Sequence, residues 1–249
     1  MKKQLLLFIF TVFTIFGCAV PKEPASLRIG QFLVSEKAVE ITFQHQGNKA
    51  VSKIMTYGDL TEYMTLTPGK YTVTVKINET VILEKKLGFG SKGTYTLFVC
   101  GIPSEKGKTN QTTLNNKLHN IVAGEEGITT NGNLPQLRVL NDTFESKDTE
   151  AKIRWIHAVP GLQPLSATLW NKKTNTKTSL ATLSYPLASK SKGVSSGAYS
   201  LTWKLKGKQL TTVSKNVVCK PKHLYTFFVI GKRNDFVNEL QVVQGVSEK

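Results

Sequence analysis

The stretch Leu87-Gly-Phe-Gly-Ser-Lys-Gly-Thr-Tyr-Thr-Leu-Phe-Val99 places Gly88, Gly90 and Gly93 at the spacing G-x-G-x-x-G. That spacing opens two readings: a loop cradling a dinucleotide phosphate, or a turn between two strands. A phosphate cradle needs a strand before it, a helix after it and an acid about twenty residues on. Directly after Gly93 comes Thr94-Tyr-Thr-Leu-Phe-Val99, aromatic and β-branched, which reads as a strand. No helix start is present, so the local context favours a turn.

The rest of the chain decides between them, because it repeats itself. Thr67-Pro-Gly-Lys-Tyr-Thr-Val-Thr-Val-Lys76 matches Ser195-Ser-Gly-Ala-Tyr-Ser-Leu-Thr-Trp-Lys204. Tyr95-Thr-Leu-Phe-Val-Cys-Gly101 matches Tyr225-Thr-Phe-Phe-Val-Ile-Gly231, and Leu27-Arg28-Ile29 matches the region around Arg154. The separations are 126 for the arginines, 128 for the Gly-x-Tyr pairs and 130 for the Tyr-Thr strands. Ordered matches at a nearly constant offset indicate two copies of one domain. At an offset of 130 the glycine stretch falls on Val218 to His223, which contains no glycine. The strands persist in the second copy while the glycines do not. The glycines therefore serve a connection between strands, expected where φ is positive.

Within each copy, short strands alternate with turn signals at the spacing of an all-β sandwich. The first copy reads as strands near 27–34, 37–44, 49–57, 60–66, 70–77, 80–87, 94–100 and 136–140. The second reads as strands near 151–158, 165–170, 177–183, 185–190, 198–206, 209–218, 224–230 and 239–244. Tyr71, Val73, Val75 and Ile77 occupy alternate positions, as do Leu201, Trp203 and Leu205, and these face a core. A polar, acidic linker runs from Asn141 to Glu150. After Gly101 the first copy carries about thirty extra polar residues, 102–134, which the second lacks. There Leu114, Leu118, Ile121 and Val122 sit at i, i+4, i+7 and i+8, with Thr112 or Thr113 as cap. This is the pattern of a short amphipathic helix, packed over a sandwich edge or used for binding.

The chain opens with a processing signal. Lys2 and Lys3 precede an apolar run of twelve residues, Leu5 to Phe16, too short to span a bilayer as a helix. Ile15-Phe-Gly-Cys18 comes next, and it resembles a bacterial lipobox, in which the cysteine is lipidated after cleavage. An ordinary secretory signal is the alternative. Ala19 in place of aspartate resembles an outer-membrane address. The expected division is signal peptide 1–17, lipidated tether 18–26, first sandwich 27–141 with its insertion, and second sandwich 151–249.

The net charge is +16, and removing Lys2 and Lys3 leaves +14. Two readings stand: solvated outer faces, or attraction to envelope polyanions. Lys204, Lys206, Lys208, Lys220 and Lys222 are the candidate anion-binding residues. Cys100 and Cys219 are the cysteines left after the anchor. With the two sandwiches in series, end to end, they are expected to remain unbonded even in an oxidising compartment.

The segment from Leu134 to Trp170 carries a family resemblance. Arg154, His157, Ala158 and Pro160 match the strand written vRfvHasPd, Gly69-Lys-Tyr71 and Gly197-Ala-Tyr199 match the element paGxYtv, and Tyr95–Gly101 and Tyr225–Gly231 match YTvvvtG. In these residues the chain resembles tandem copies of domain of unknown function 4397. Gly161 and Ser166 stand where that family carries aspartates. The resemblance implies Ig-like antiparallel β-sandwiches, found in secreted proteins and bacterial lipoproteins, with no common activity.

No H-E-x-x-H, G-x-S-x-G, P-loop or carboxylate cluster occurs, so no catalytic residue, metal site or cofactor is expected. His157 reads as a strand-end histidine held by hydrogen bonds. Arg154 reads as tying a neighbouring loop, and Tyr71 and Tyr199 as core rings with bonded hydroxyls, like the corner tyrosine of Ig-like sandwiches. The expected protein is a non-catalytic envelope lipoprotein, anchored through Cys18, acting as a binding or scaffold module. The alternative is a binder of anionic glycan or lipopolysaccharide. An envelope protein or an anionic polysaccharide is the expected partner, rather than nucleic acid.

Overall fold

The computed structural model describes residues 23–45, 50–103, 133–205, 212–231 and 240–248. The signal, Cys18, the insertion helix with Leu114, Leu118, Ile121 and Val122, and Lys206 and Lys208 lie outside the described residues. The first copy contains β1 (Ala25–Leu33), β2 (Val39–His45), β3 (Val51–Met55), β4 (Met64–Leu66), β5 (Gly69–Ile77), β6 (Thr80–Phe89), β7 (Thr94–Gly101) and β8 (Gln136–Asn141). The second contains β9 (Glu150–His157), β10 (Leu165–Asn171), β11 (Thr176–Leu183), β12 (Lys192–Ser195), β13 (Gly197–Leu205), β14 (Thr212–Cys219), β15 (His223–Ile230) and β16 (Gln241–Glu248).

The two copies have the same topology. An inner sheet of order β4-β1-β7-β8 faces an outer sheet β3-β2-β5-β6 in the first. The second pairs an inner sheet β12-β9-β15-β16 with an outer sheet β11-β10-β13-β14. Each copy is thus an Ig-like all-β sandwich, although its strand order departs from the ABED and CFG sheets of a constant-type immunoglobulin domain. One pair per copy is parallel rather than antiparallel: β1 with β7, and β9 with β15. Alternation on β5 and β13 builds each core. Tyr71, Val73 and Val75 pack with Leu27, Ile29, Leu97 and Val99. Leu201, Trp203 and Leu205 pack with Ile153, Trp155, Phe227 and Val229.

Residues 185–190 do not form the expected strand. They run beside β9 as irregular backbone, with His157 N bonded to Leu187 O (3.0 Å) and Ser189 N to Trp155 O (2.9 Å). Pro186 has no N–H for a ladder, and Tyr185 and Ala188 turn toward an apolar cluster outside the two sandwich cores. The strand of this region is β12, further along.

The glycine stretch is a turn between β6 and β7. Its positive φ belongs to Lys92 (59°), and the matching turn of the second copy has Lys222 at 58°. The expectation that one of these glycines supplies the left-handed residue is therefore corrected. Gly93 is required for space: a Cβ there would lie 2.3 Å from the Tyr95 hydroxyl oxygen. That hydroxyl accepts Gly90 N (3.1 Å), as the Tyr225 hydroxyl accepts Lys220 N (2.8 Å).

The copies do not sit end to end. The outward faces of their inner sheets pack on each other and bury a third cluster, in which Phe32, Phe98 and Cys100 meet Ile156, Ala158, Tyr185, Phe228 and Ile230. The Phe32 and Phe228 rings are 4.8 Å apart and Phe98 and Phe228 5.5 Å. A Cβ on Gly30 would lie 2.8 Å from the Phe32 ring, so the glycine gives that ring its place. At the matching positions, 126 residues on, stand Ile156 and Ala158; bulk lost at one position is restored at the other. This explains why β1, β7, β9 and β15 are buried on both faces.

Candidate functional site

The polar centre of the molecule lies at one end of this junction. Arg28 and Arg154, at matching positions, each donate Nε to a threonine on the parallel neighbour: Thr96 Oγ1 (2.7 Å) and Thr226 Oγ1 (3.0 Å). Each then crosses to the other copy. Arg28 Nη1 donates to Val246 O at 3.1 Å, and Arg154 Nη1 to Asn141 O at 2.7 Å. In the strand registers Asn141 opposes Tyr95 and Val246 opposes Tyr225, so the two acceptor carbonyls also match.

Asp142 lies between the guanidinium groups. It is 1% exposed, although the sequence places it in a polar, acidic linker. Arg154 Nη2 and Thr96 Oγ1 donate to its carboxylate, and Arg28 Nη2 lies 3.6 Å from Oδ2. Tyr63 donates to Oδ2 and accepts from Ser247 Oγ, while the Arg28 guanidinium lies 4.8 Å over its ring. Burial is the first cause lowering the Arg28 pKa from its ordinary value; Tyr63 and Asp142 oppose it and Arg154 adds to it. Burial likewise pushes the Tyr63 hydroxyl up to about 12. Two buried cations around one buried carboxylate form a lock between the copies, sealed from substrate.

His157 ends β9 within the same packed layer. Its Nδ1 accepts Val159 N (3.3 Å), which leaves Nε2–H to donate to Gln163 O (3.1 Å). Burial drives its pKa down to about 4, so it is neutral at physiological pH. Gln31, at the matching position, likewise accepts from the N–H two residues on, Leu33 N (2.7 Å), but donates to Leu33 O (3.2 Å). Pro160 is buried just beyond, before Gly161 at φ 74°. The Tyr71 hydroxyl donates to Thr67 O (2.8 Å) and that of Tyr199 to Ser195 O (2.9 Å), four residues back in each copy. Cys100 and Cys219 are free and buried, and burial raises their thiols to about 11 and about 12.

Of the candidate lysines, Lys204, Lys220 and Lys222 fall within the described residues, and these three stand apart. Lys204 lies near one end of the β13–β14 hairpin and Lys220 just past the other, where Gly197 opposes Cys219. Seven residues of strand separate the ends by roughly 23 Å. Lys222 pairs with Asp148 at 2.9 Å. Among the described residues no group of three or more His, Cys, Asp or Glu side chains could hold a metal ion. A shallow depression lined by Gly88, Phe89, Gly90 and Ser91 holds no nucleophile beside a base.

The outer sheets turn their outward faces away from the packed inner sheets. That of the second copy carries the row Lys177, Trp170, Ser200, Asn216 across its four strands, then the row Ser179, Thr168, Thr202, Ser214. Sequence reasoning passed over Trp170, which ends an alternating strand and stands on its polar side. It also passed over Tyr63 and Asp142.

Residues 25–131 match the family model described as Domain of unknown function (DUF4397). That match takes in β1 to β7 of the first copy. No curated protein matches the chain. Among solved structures it is similar to the Bacillus anthracis TIE protein, at 15% identity and TM-score 0.27, over 85% of this chain and 34% of that one. The chain thus spans about a third of that protein. It is also similar to a protein of Bacteroides ovatus provisionally described as a cell adhesion protein (9% identity, TM-score 0.28, 91% of this chain and 98% of that one). A third is the CBM26 module of Eubacterium rectale Amy13K in complex with maltoheptaose (10% identity, TM-score 0.24, 90% and 97%). None of these likenesses bears on what this chain binds.

Proposed function

We propose that this chain is a non-catalytic binding module of the bacterial cell envelope, held to the membrane, expected to be the outer one, by a lipid on Cys18. The observation that supports it is how the polar chemistry is spent. The charged centre of the described residues, Arg28, Asp142 and Arg154, is occupied in joining the two copies. What the molecule offers to partners is the pair of broad outer sheets, positioned by that junction. In this reading two duplicated sandwiches form a single body between the tether and its partner.

The test is crosslinking in native envelopes followed by capture of the chain. A defined partner that survives washing supports a binding role, and recovery of the chain alone counts against it. Cys18→Ser is expected to release the chain from membranes or to leave its signal uncleaved; unchanged fractionation and unchanged mass would contradict the anchor.

A further inference from the structure

We infer that the outer face of the second copy, centred on Trp170, binds an anionic saccharide chain, a reading that rests on the binding role proposed above and gives it a ligand class. The first observation is the charge distribution. From Ala151 to Asn234 the sequence has no aspartate or glutamate but fifteen lysines and arginines. All four strands of the outer sheet, β10, β11, β13 and β14, fall within that span. The first copy acts as an internal control, because the same fold there does not require this. Its outer face carries Glu40 on β2 and Glu84 on β6. The matching positions in the second copy, by strand register, are Ser166 and Ser214. At both places an acid is replaced by a hydroxyl, and Gln44 is replaced by Trp170.

The second observation is Trp170 itself. It is 37% exposed on a strand whose other outward residues are serine and threonine. Local geometry fixes the indole. Asn171 Oδ1 accepts Lys173 N (2.9 Å) and Thr174 N (3.1 Å) to close the turn, and Asn175 Oδ1 accepts Trp170 Nε1 (3.1 Å). Around the ring stand Lys177, Ser200 and Asn216 in one row and Thr168 and Thr202 in the next. Strands lie about 4.8 Å apart and successive outward residues about 7 Å apart, the scale of a pyranose ring. An indole covers the apolar C–H face of a sugar, hydroxyl and amide groups exchange hydrogen bonds with its ring hydroxyls, and Lys177 and Lys204 attract carboxylate, sulfate or phosphate substituents. A membrane surface fits less well, since Trp170 and Val218 are the exposed large apolar residues of this face among those described, whereas interfacial binding needs a continuous apolar stripe.

Tryptophan emission can test this. The chain has three tryptophans, and Trp155 and Trp203 are 0% and 1% exposed. Acrylamide-accessible emission therefore belongs to Trp170. The probes for the full chain are heparin, neutral dextran of equal length, a single-stranded oligonucleotide and vesicles of phosphatidylglycerol. Heparin is expected to shield Trp170 and to bind at least about tenfold more tightly than dextran. Trp170→Ala and Lys177→Glu should each weaken heparin about tenfold, Trp170→Phe should retain it, and Gln44→Ala in the first copy should leave it unchanged. Heparin binding that leaves Trp170 quenching and the Trp170→Ala affinity unchanged overturns the inference. So does tighter binding of the oligonucleotide or the vesicles than of heparin. If heparin does not bind while crosslinking captures an envelope partner, the inference fails and the binding role stands; if neither occurs, both fail.

Discussion

Asp142 and Ser247 occupy matching places one residue beyond the register that pairs Asn141 with Tyr95 and Val246 with Tyr225, and the Tyr63 hydroxyl lies 2.5 Å from a side-chain oxygen of each. The duplicated frame thus holds an acid in one copy and a hydroxyl in the other. One carboxylate between two arginines leaves the group with a net positive charge, and a second would remove that excess.

Removing that acid leaves two guanidinium groups buried without their counter-charge. Asp142→Asn is expected to destabilise the chain by about 3–5 kcal/mol, the cost of breaking a buried ion pair by removing one partner. Ser247→Ala, which removes a neutral hydrogen bond, should cost about 1 kcal/mol. Urea unfolding of the two variants checks this, and equal small losses would show that Asp142 does not hold the junction.

His157 gives the protein an acid-side weakness. Its folded pKa is about 4 against an ordinary 6.5, so the unfolded chain binds its proton first. Stability from this group is complete above pH 6.5 and is lost as pH falls toward 4, by about 3 kcal/mol in all. His157→Gln should retain the strand-end bond in the manner of Gln31 and remove the titration. The variant should therefore gain about 3 kcal/mol relative to the parent between pH 7 and pH 4. Parallel stability curves for the two proteins would contradict the buried neutral histidine.

The glycine turn can be tested position by position. A Cβ on Gly93 would meet the Tyr95 ring and hydroxyl at 2.3–2.5 Å, whereas one on Gly88 would meet nothing within 4 Å. Gly93→Ala should cost about 1–3 kcal/mol, and Gly88→Ala less than about 0.5 kcal/mol. Comparable losses from both in thermal denaturation would mean that the turn is held by something other than the Tyr95 ring.

Much of the fold was legible because alternation and repetition are local signals. Val73 and Val75, or Leu201 and Trp203, announce a strand with one buried face, and an offset near 128 announces a second copy. The copies were expected end to end, although β1, β7, β9 and β15 carried the mark of face-to-face packing. Runs such as Leu97-Phe-Val-Cys100 and Phe227-Phe-Val-Ile230 are apolar on consecutive residues, as strands buried on both faces require. Arg28 and Arg154, repeated within such strands, were a further sign, because a charge on a doubly buried strand needs a partner. Asp142 carried no local signal; its burial comes from contact with segments 12 and 114 residues away. Trp170 was visible as an aromatic on the polar side of an alternating strand. Its setting became clear only once register placed Lys177, Ser200 and Asn216 beside it.

Face-to-face packing of the two copies is the claim on which the account of both the junction and the outer faces depends, and Cys100 tests it without a designed probe. Its side chain is 0% exposed because the inner sheet of the second copy and Tyr185 cover it, whereas Cys219 is enclosed by the second copy's own core. Timed thiol labelling of the folded chain, read by mass at each cysteine, should find Cys100 and Cys219 equally protected, with both reacting only on global unfolding. Rapid labelling of Cys100 in the native protein, with Cys219 still protected, would mean that the inner sheets do not face each other.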